Sequence, residues 1–79
     1  MIAIEVLKEA AKRAKVPTTH IGRKMGLADN YVAKIANRGS TPQCDTMARM
    51  LEVCGYGLYA IPLSKAPKDA IRITDTDDE

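Results

Sequence analysis

Apolar residues recur every three or four positions through the first 55 residues, the spacing of one face of an α-helix. In residues 2–15 this face carries Ile4, Leu7, Ala11 and Ala14, with charged residues between them. The same spacing predicts three further helices, over residues 18–25, 29–37 and 43–54. The chain should therefore begin with a four-helix bundle over residues 1–55.

Proline and glycine mark the predicted helix ends. Pro17 ends the first helix and opens the second, because its fixed φ suits a first turn where its missing N–H is not needed. Gly26 and Gly55 follow predicted helices, where a left-handed residue closes the last turn. Gly22 lies inside the second helix, at a cost of about 1 kcal/mol relative to alanine. We therefore expect it where the second and third helices cross closely, with room for only glycine or alanine.

The pattern changes after residue 55. Residues 56–63 are aliphatic and aromatic, bounded by glycines and Pro62, and are predicted to form a strand. Residues 70–74 alternate, with Ile71 and Ile73 on one face, and predict a second strand. The fold class expected is mainly α, with a C-terminal β-hairpin over residues 56–74. Residues 75–79, four of which are acidic, are predicted to be a disordered tail.

The first of these strands is apolar on both faces, which one small helical bundle does not cover. The simplest partner is the same strand of a second subunit, in a shared antiparallel sheet. A hairpin folded onto its own helices is the alternative. The residues predicted at the dimer interface are Leu58, Tyr59, Ala60, Ile61 and Leu63.

Composition fits one small globular domain of 79 residues. The net charge of +2 is unevenly spread, since residues 1–55 hold nine basic and five acidic residues. No apolar run approaches the roughly 20 residues that span a bilayer, and no leader peptide is seen. A cytoplasmic protein with no membrane partner is therefore expected.

The two cysteines predict neither a disulfide nor a metal site. Cys44 and Cys54 are ten residues apart in one predicted helix, hence about 15 Å apart and beyond disulfide reach. A zinc site needs more ligands, and His20 is the only histidine. We expect two small buried thiols and no cofactor.

The second and third helices carry a family resemblance. The segment from Val16 to Leu27, Val-Pro-Thr-Thr-His-Ile-Gly-Arg-Lys-Met-Gly-Leu, resembles the λ-repressor/Cro (XRE) pattern Leu-Ser-Gln-x-x-Leu-Ala-x-x-Leu-Gly-Val. Residues 31–37, Tyr-Val-Ala-Lys-Ile-Ala-Asn, resemble the recognition-helix pattern of that family, Thr-Ile-Ser-Arg-Ile-Glu-Asn. Ala28 departs from the usual Ser or Thr N-cap, which leaves Asp29 as the candidate cap. Gly39 lies one residue later than the usual glycine.

The resemblance implies a helix-turn-helix whose third helix enters the DNA major groove. Asn30 and Lys34 share the face opposite the core, where Asn can pair with adenine and Lys with guanine. Asp29 either accepts from cytosine or only caps the helix, and Tyr31 reaches a phosphate or a thymine methyl. The base contacts implied are thus Asp29, Asn30, Tyr31 and Lys34. The phosphate contacts implied are Thr18, Thr19, Arg23, Asn37, Arg38, Ser40 and Thr41.

These residues favour a dimeric transcriptional regulator, a repressor, that binds a near-palindromic site on double-stranded DNA. The alternative is a protein-binding helix-turn-helix module, such as an antitoxin or a phage-encoded inhibitor, with a toxin or host factor as partner. An enzyme is not expected, because the chain has one histidine, no clustered carboxylates in the helical part and no glycine-rich phosphate loop.

Overall fold

The computed structural model describes residues 1–75 and is mainly helical. All four predicted helices are present, each ending within two residues of its predicted bounds. They are α1 (Ala3–Ala14), α2 (Thr18–Lys24), α3 (Tyr31–Arg38) and α4 (Cys44–Val53). The helical spacing of apolar residues was therefore a sound guide to this half of the fold.

The most deeply buried large side chains of the core come one from each helix. Leu7, Ile21, Val32 and Met50 come from α1 to α4 in turn, and each is at most 1% exposed. α1 packs mainly against α4, while α2 contacts both α3 and α4. Burying a side chain of this size contributes about 1.5–3 kcal/mol. Because every helix supplies one, the core fixes all four helices relative to one another.

All four helices end in the same way. Just past each end lies a residue with positive φ, and the next amide donates to the carbonyl five residues earlier, closing the last turn. The φ angles are 59° at Lys15, 72° at Gly26, 66° at Gly39 and 80° at Gly55. The closing bonds run from Val16 to Ala11, Leu27 to Gly22, Ser40 to Ile35 and Tyr56 to Leu51, with N···O distances of 2.8–3.2 Å.

Residues 56–75 hold no strand, so the predicted hairpin is not formed within the chain. Residues Leu63–Lys65 form a short 3₁₀ turn, and the amide of Ala70 donates to the carbonyl of Pro67. These turns lie between the two predicted strands, and these two segments, both within the described residues, make no ladder of backbone hydrogen bonds with each other. Instead, the amide of Thr74 donates to the carbonyl of Met1 over 2.7 Å.

The segment after α4 is nonetheless held against the bundle. Tyr56, Leu58 and Ile71 pack on the helical core, and the Arg13 guanidinium donates to the carbonyl of Asp69. Of the predicted acidic tail, residues 75–79, all but Asp75 lie outside the described residues. Within residues 1–75, no helix is both long enough and apolar enough to cross a bilayer.

Candidate nucleic-acid interface

The turn between α2 and α3 is built on a close approach at Gly22. A Cβ atom placed there would overlap the carbonyl oxygen of Ala28, and it would lie 3.4 Å from the Cβ of Tyr31. The predicted need for a small residue is therefore confirmed. The expectation that alanine would also fit is wrong, because the Ala28 carbonyl occupies the space. This contact fixes where α3 begins relative to α2.

α3 turns one face to the core and the other to solvent. Val32 is buried, and Ile35 and Ala36 are half-buried against the core. On the opposite side, the side chains of Ala33 and Lys34 are exposed, followed by those of Asn37 and Arg38. A helix of only eight residues thus presents a polar, positively charged face away from the bundle.

The sequence predicted Asn30 as the second residue of the third helix. In the structure it is the residue immediately before α3. It has φ −92° and ψ 16°, and its carbonyl accepts the amide of Lys34 over 2.9 Å. Asn30 and Lys34 are therefore one turn apart on one side of the helix. Both side chains are exposed. The two residues expected to read bases are thus brought together on the solvent face.

Asp29 does not cap α3, because no side chain makes a capping hydrogen bond at this end. Its carboxylate instead pairs with Arg23 of α2. Arg23 Nε donates to Oδ1 over 3.3 Å, and Nη2 donates to Oδ2 over 2.8 Å. The hydrogen bond and charge of Arg23 lower the pKa of the Asp29 carboxyl, and Asp29 raises that of Arg23. Two residues predicted as separate DNA contacts thus form one unit across the turn.

Tyr31 is only partly available for a ligand. Its side chain is half-buried and packs against the core beside Gly22. The expectation that Tyr31 reaches a phosphate or a thymine methyl stays a prediction, for a side chain that is half-buried.

The remaining predicted phosphate contacts surround α3. Thr18 is half-buried at the start of α2, whereas Thr19, Arg23, Asn37, Arg38, Ser40 and Thr41 are exposed. Residues 17–43 contain four Lys or Arg residues and one acidic residue, Asp29, which is already paired. This region is therefore more strongly positive than the chain as a whole.

The predicted dimer residues lie on the segment that follows α4. Tyr59 and Leu63 are 83% and 77% exposed, and Ala60 and Ile61 are also exposed. Leu58 is different, because it packs on the core of its own chain. Among the described residues, the backbone groups of residues 57–61 make no backbone hydrogen bond. This stretch therefore combines exposed apolar side chains with open backbone donors and acceptors.

The two cysteines have different environments. Cys54 is buried, and burial raises the pKa of its thiol. Cys44 is exposed, so the prediction of two buried thiols is wrong for it. Cys44 is the first residue of α4 and precedes its buried face. Within residues 1–75, no three His, Cys, Asp or Glu side chains are grouped to hold a metal ion.

Comparison with known proteins gives no relative, since no family model, curated protein or solved structure matches the chain.

Proposed function

We propose that this chain is a sequence-specific double-stranded DNA-binding regulator of transcription that acts as a repressor, with α3 in the major groove. The observation that carries the proposal is the solvent face of α3, where Asn30 and Lys34 are exposed one turn apart on a helix fixed by Gly22. The resemblance of about residues 5–55 to λ-repressor/Cro-like helix-turn-helix proteins, strongest in residues 16–27 and 31–37, supports the same function.

The shape and chemistry of this face suit a major groove about 12 Å wide, which admits one helix. Asn30 offers a donor and an acceptor that match adenine N7 and N6. Lys34 offers donors that match guanine O6 and N7. Ala33 is exposed beside them and is small enough to let the helix approach the base edges.

Phosphate contacts then fix the helix in the groove. Arg38 at the end of α3 and Ser40 and Thr41 in the following loop are exposed. Thr19 and Arg23 of α2 are exposed as well. Contacts of this kind set register and affinity, and the bases set the sequence preference. The positive charge of residues 17–43 adds attraction for any duplex, which weakens as salt rises.

The chain binds its site as a homodimer in this proposal. Exposed Tyr59, Ile61 and Leu63 adjoin the open backbone of residues 57–61. The same segment of a second chain, added antiparallel, would pair those backbone groups and cover the apolar side chains. In this proposal the dimerising strand forms only when two chains pair.

Selection of duplexes from a random-sequence pool tests the function. The expected result is an enriched, near-palindromic sequence whose half-sites are about 34 Å apart, one DNA turn. Lys34→Ala should relax the preference at one base position per half-site, at about 1–3 kcal/mol of discrimination. The matched control is Lys12→Ala, which removes an exposed lysine from α1. A pool with no enriched sequence would contradict the proposal.

The oligomeric state is tested separately by light scattering. Tyr59→Ser combined with Leu63→Ser should give a monomer that remains folded, because both side chains are outside the core. Leu27→Ser is the control, since it removes an exposed apolar side chain at the turn between α2 and α3. A double variant as dimeric as the parent chain would remove the proposed interface.

A protein-binding role is the second candidate, and the exposed apolar surface at Tyr59, Ile61 and Leu63 favours it. A surface of this kind marks an interaction site on a small protein. An antitoxin or inhibitor would use this surface to bind a different protein. In the absence of that protein it would be a monomer. A monomeric parent chain with little sequence preference for DNA would favour this role over the regulator.

A further inference from the structure

The Arg23–Asp29 pair uses only one edge of the guanidinium. Asp29 accepts from Nε and Nη2, each of its oxygens taking one hydrogen bond. The Nη1 end of Arg23 makes no hydrogen bond to the described residues. Both side chains remain more than half exposed. The arginine is therefore held by one edge and presents the other to solvent at the start of α3.

Asp29 is an unexpected residue on a surface that faces a polyanion. It is the one acidic residue in residues 17–43, and it directly precedes Asn30. Through its charge alone it would weaken binding to any duplex, because phosphates repel a carboxylate. A cytosine-reading role competes with the two hydrogen bonds that its oxygens already accept from Arg23.

We propose that Asp29 is a positioning residue, which holds the Arg23 guanidinium so that its Nη1 end donates to a backbone phosphate beside the start of α3. The proposal rests on the proposed function and assigns Asp29 a role other than base reading. A guanidinium fixed in advance loses less side-chain freedom when it binds. Its planar fork allows one edge to hold the carboxylate while the other meets a phosphate oxygen.

The two roles of Asp29 predict effects of opposite sign. If charge alone matters, Asp29→Asn strengthens DNA binding whether or not Arg23 is present. If Asp29 positions Arg23, Asp29→Asn weakens DNA binding when Arg23 is present. The same substitution strengthens DNA binding when Arg23 is replaced by Ala. The expected weakening is roughly twofold to fivefold, the scale of an exposed but well-oriented ion pair.

The experiment is a double-mutant cycle on the selected duplex, read by fluorescence anisotropy of the full chain. The four proteins are the parent chain, Asp29→Asn, Arg23→Ala and the double variant, each first shown by circular dichroism to be folded at the assay temperature. Asp69→Asn is the control, since it removes an exposed carboxylate from the segment after α4. Arg23→Ala should also reduce the salt slope of binding by about one.

The outcomes separate this inference from the proposed function. Specific binding by the parent chain, together with an Asp29→Asn effect that reverses sign in the Arg23→Ala background, supports both. Specific binding with stronger binding by Asp29→Asn in both backgrounds overturns the positioning role and leaves the DNA-binding function intact. An unchanged salt slope in Arg23→Ala also overturns it. If the parent chain did not bind the duplex, both the proposed function and the positioning role of Asp29 would be contradicted.

Discussion

The missing side chain of Gly22 leaves the space that the carbonyl oxygen of Ala28 occupies. This close contact between Gly22 and Ala28 packs α2 against the residues that precede α3. Asn30 and Lys34 follow Ala28 along the chain, so their position depends on this contact.

Gly22→Ala should destabilise the fold by about 1–3 kcal/mol, because the added methyl meets backbone that must move. The gain in helix propensity of about 1 kcal/mol offsets only part of this. Gly57→Ala is the control, since a Cβ there meets only the Tyr59 ring, which can rotate away. Urea unfolding followed by circular dichroism measures both. Equal stability of the two variants would show that the turn adapts easily.

Lys15 is the one non-glycine residue with positive φ among the described residues. A left-handed conformation costs a residue with a Cβ about 1–2 kcal/mol, whereas glycine adopts it freely. Lys15→Gly should therefore stabilise the chain by about 0.5–1 kcal/mol after the larger entropy of the unfolded glycine is counted. Lys12→Gly, inside α1, should destabilise it by a similar amount. A loss of stability in Lys15→Gly would contradict the strain argument.

The helices of residues 1–55 could be predicted from the sequence because the spacing of apolar residues there is consistently helical. Apolar residues such as Leu7 and Ile21 recur at helical spacing, and glycines such as Gly26 close the turns, so local pattern and tertiary packing agree. The structure of the segment after Gly55 could not be predicted in the same way. Its residues have strand composition, but a strand needs a partner strand to pair with, and within residues 56–75 of one chain no such pairing is formed.

The candidate site was predicted in part. The exposure of Asn30 and Lys34 follows from their position opposite Val32. The pairing of Asp29 with Arg23 was missed, because it depends on how the α2–α3 turn folds and not on spacing along a helix. The half-burial of Tyr31 was missed for a similar reason, since it depends on how the α2–α3 turn brings Tyr31 beside Gly22 and against the core.

The Asp29 carboxyl should titrate below the ordinary aspartate range, because Arg23 stabilises its charged form. The stability that the pair contributes is therefore fully present above about pH 4 and is lost as the pH falls through the lowered pKa of the folded state. Carboxyl chemical shifts followed by NMR against pH measure this. Arg23→Gln should return the Asp29 titration to the ordinary range, and an unshifted titration in the parent chain would show that the pair does not form.

The two thiols should differ in reactivity. Exposed Cys44 should react with an aromatic disulfide reagent within the mixing time, whereas buried Cys54 should react only as the chain unfolds. The raised pKa of Cys54 leaves less thiolate and slows its reaction further. In Cys44→Ser the fast phase should vanish and the slow phase remain. If both thiols reacted within the mixing time, Cys54 at the C-terminal end of α4 would be accessible to solvent, which would contradict the prediction.

The most direct test of the central claim is an NMR titration of the ¹⁵N-labelled chain with its selected duplex. The claim is that the solvent face of α3 enters the groove, so the largest amide shifts should fall at residues 29–41, with smaller ones at Thr18 and Thr19. The same titration with a scrambled duplex should shift these amides less. Shifts confined to residues 56–74, with those of α3 unmoved, would contradict the account.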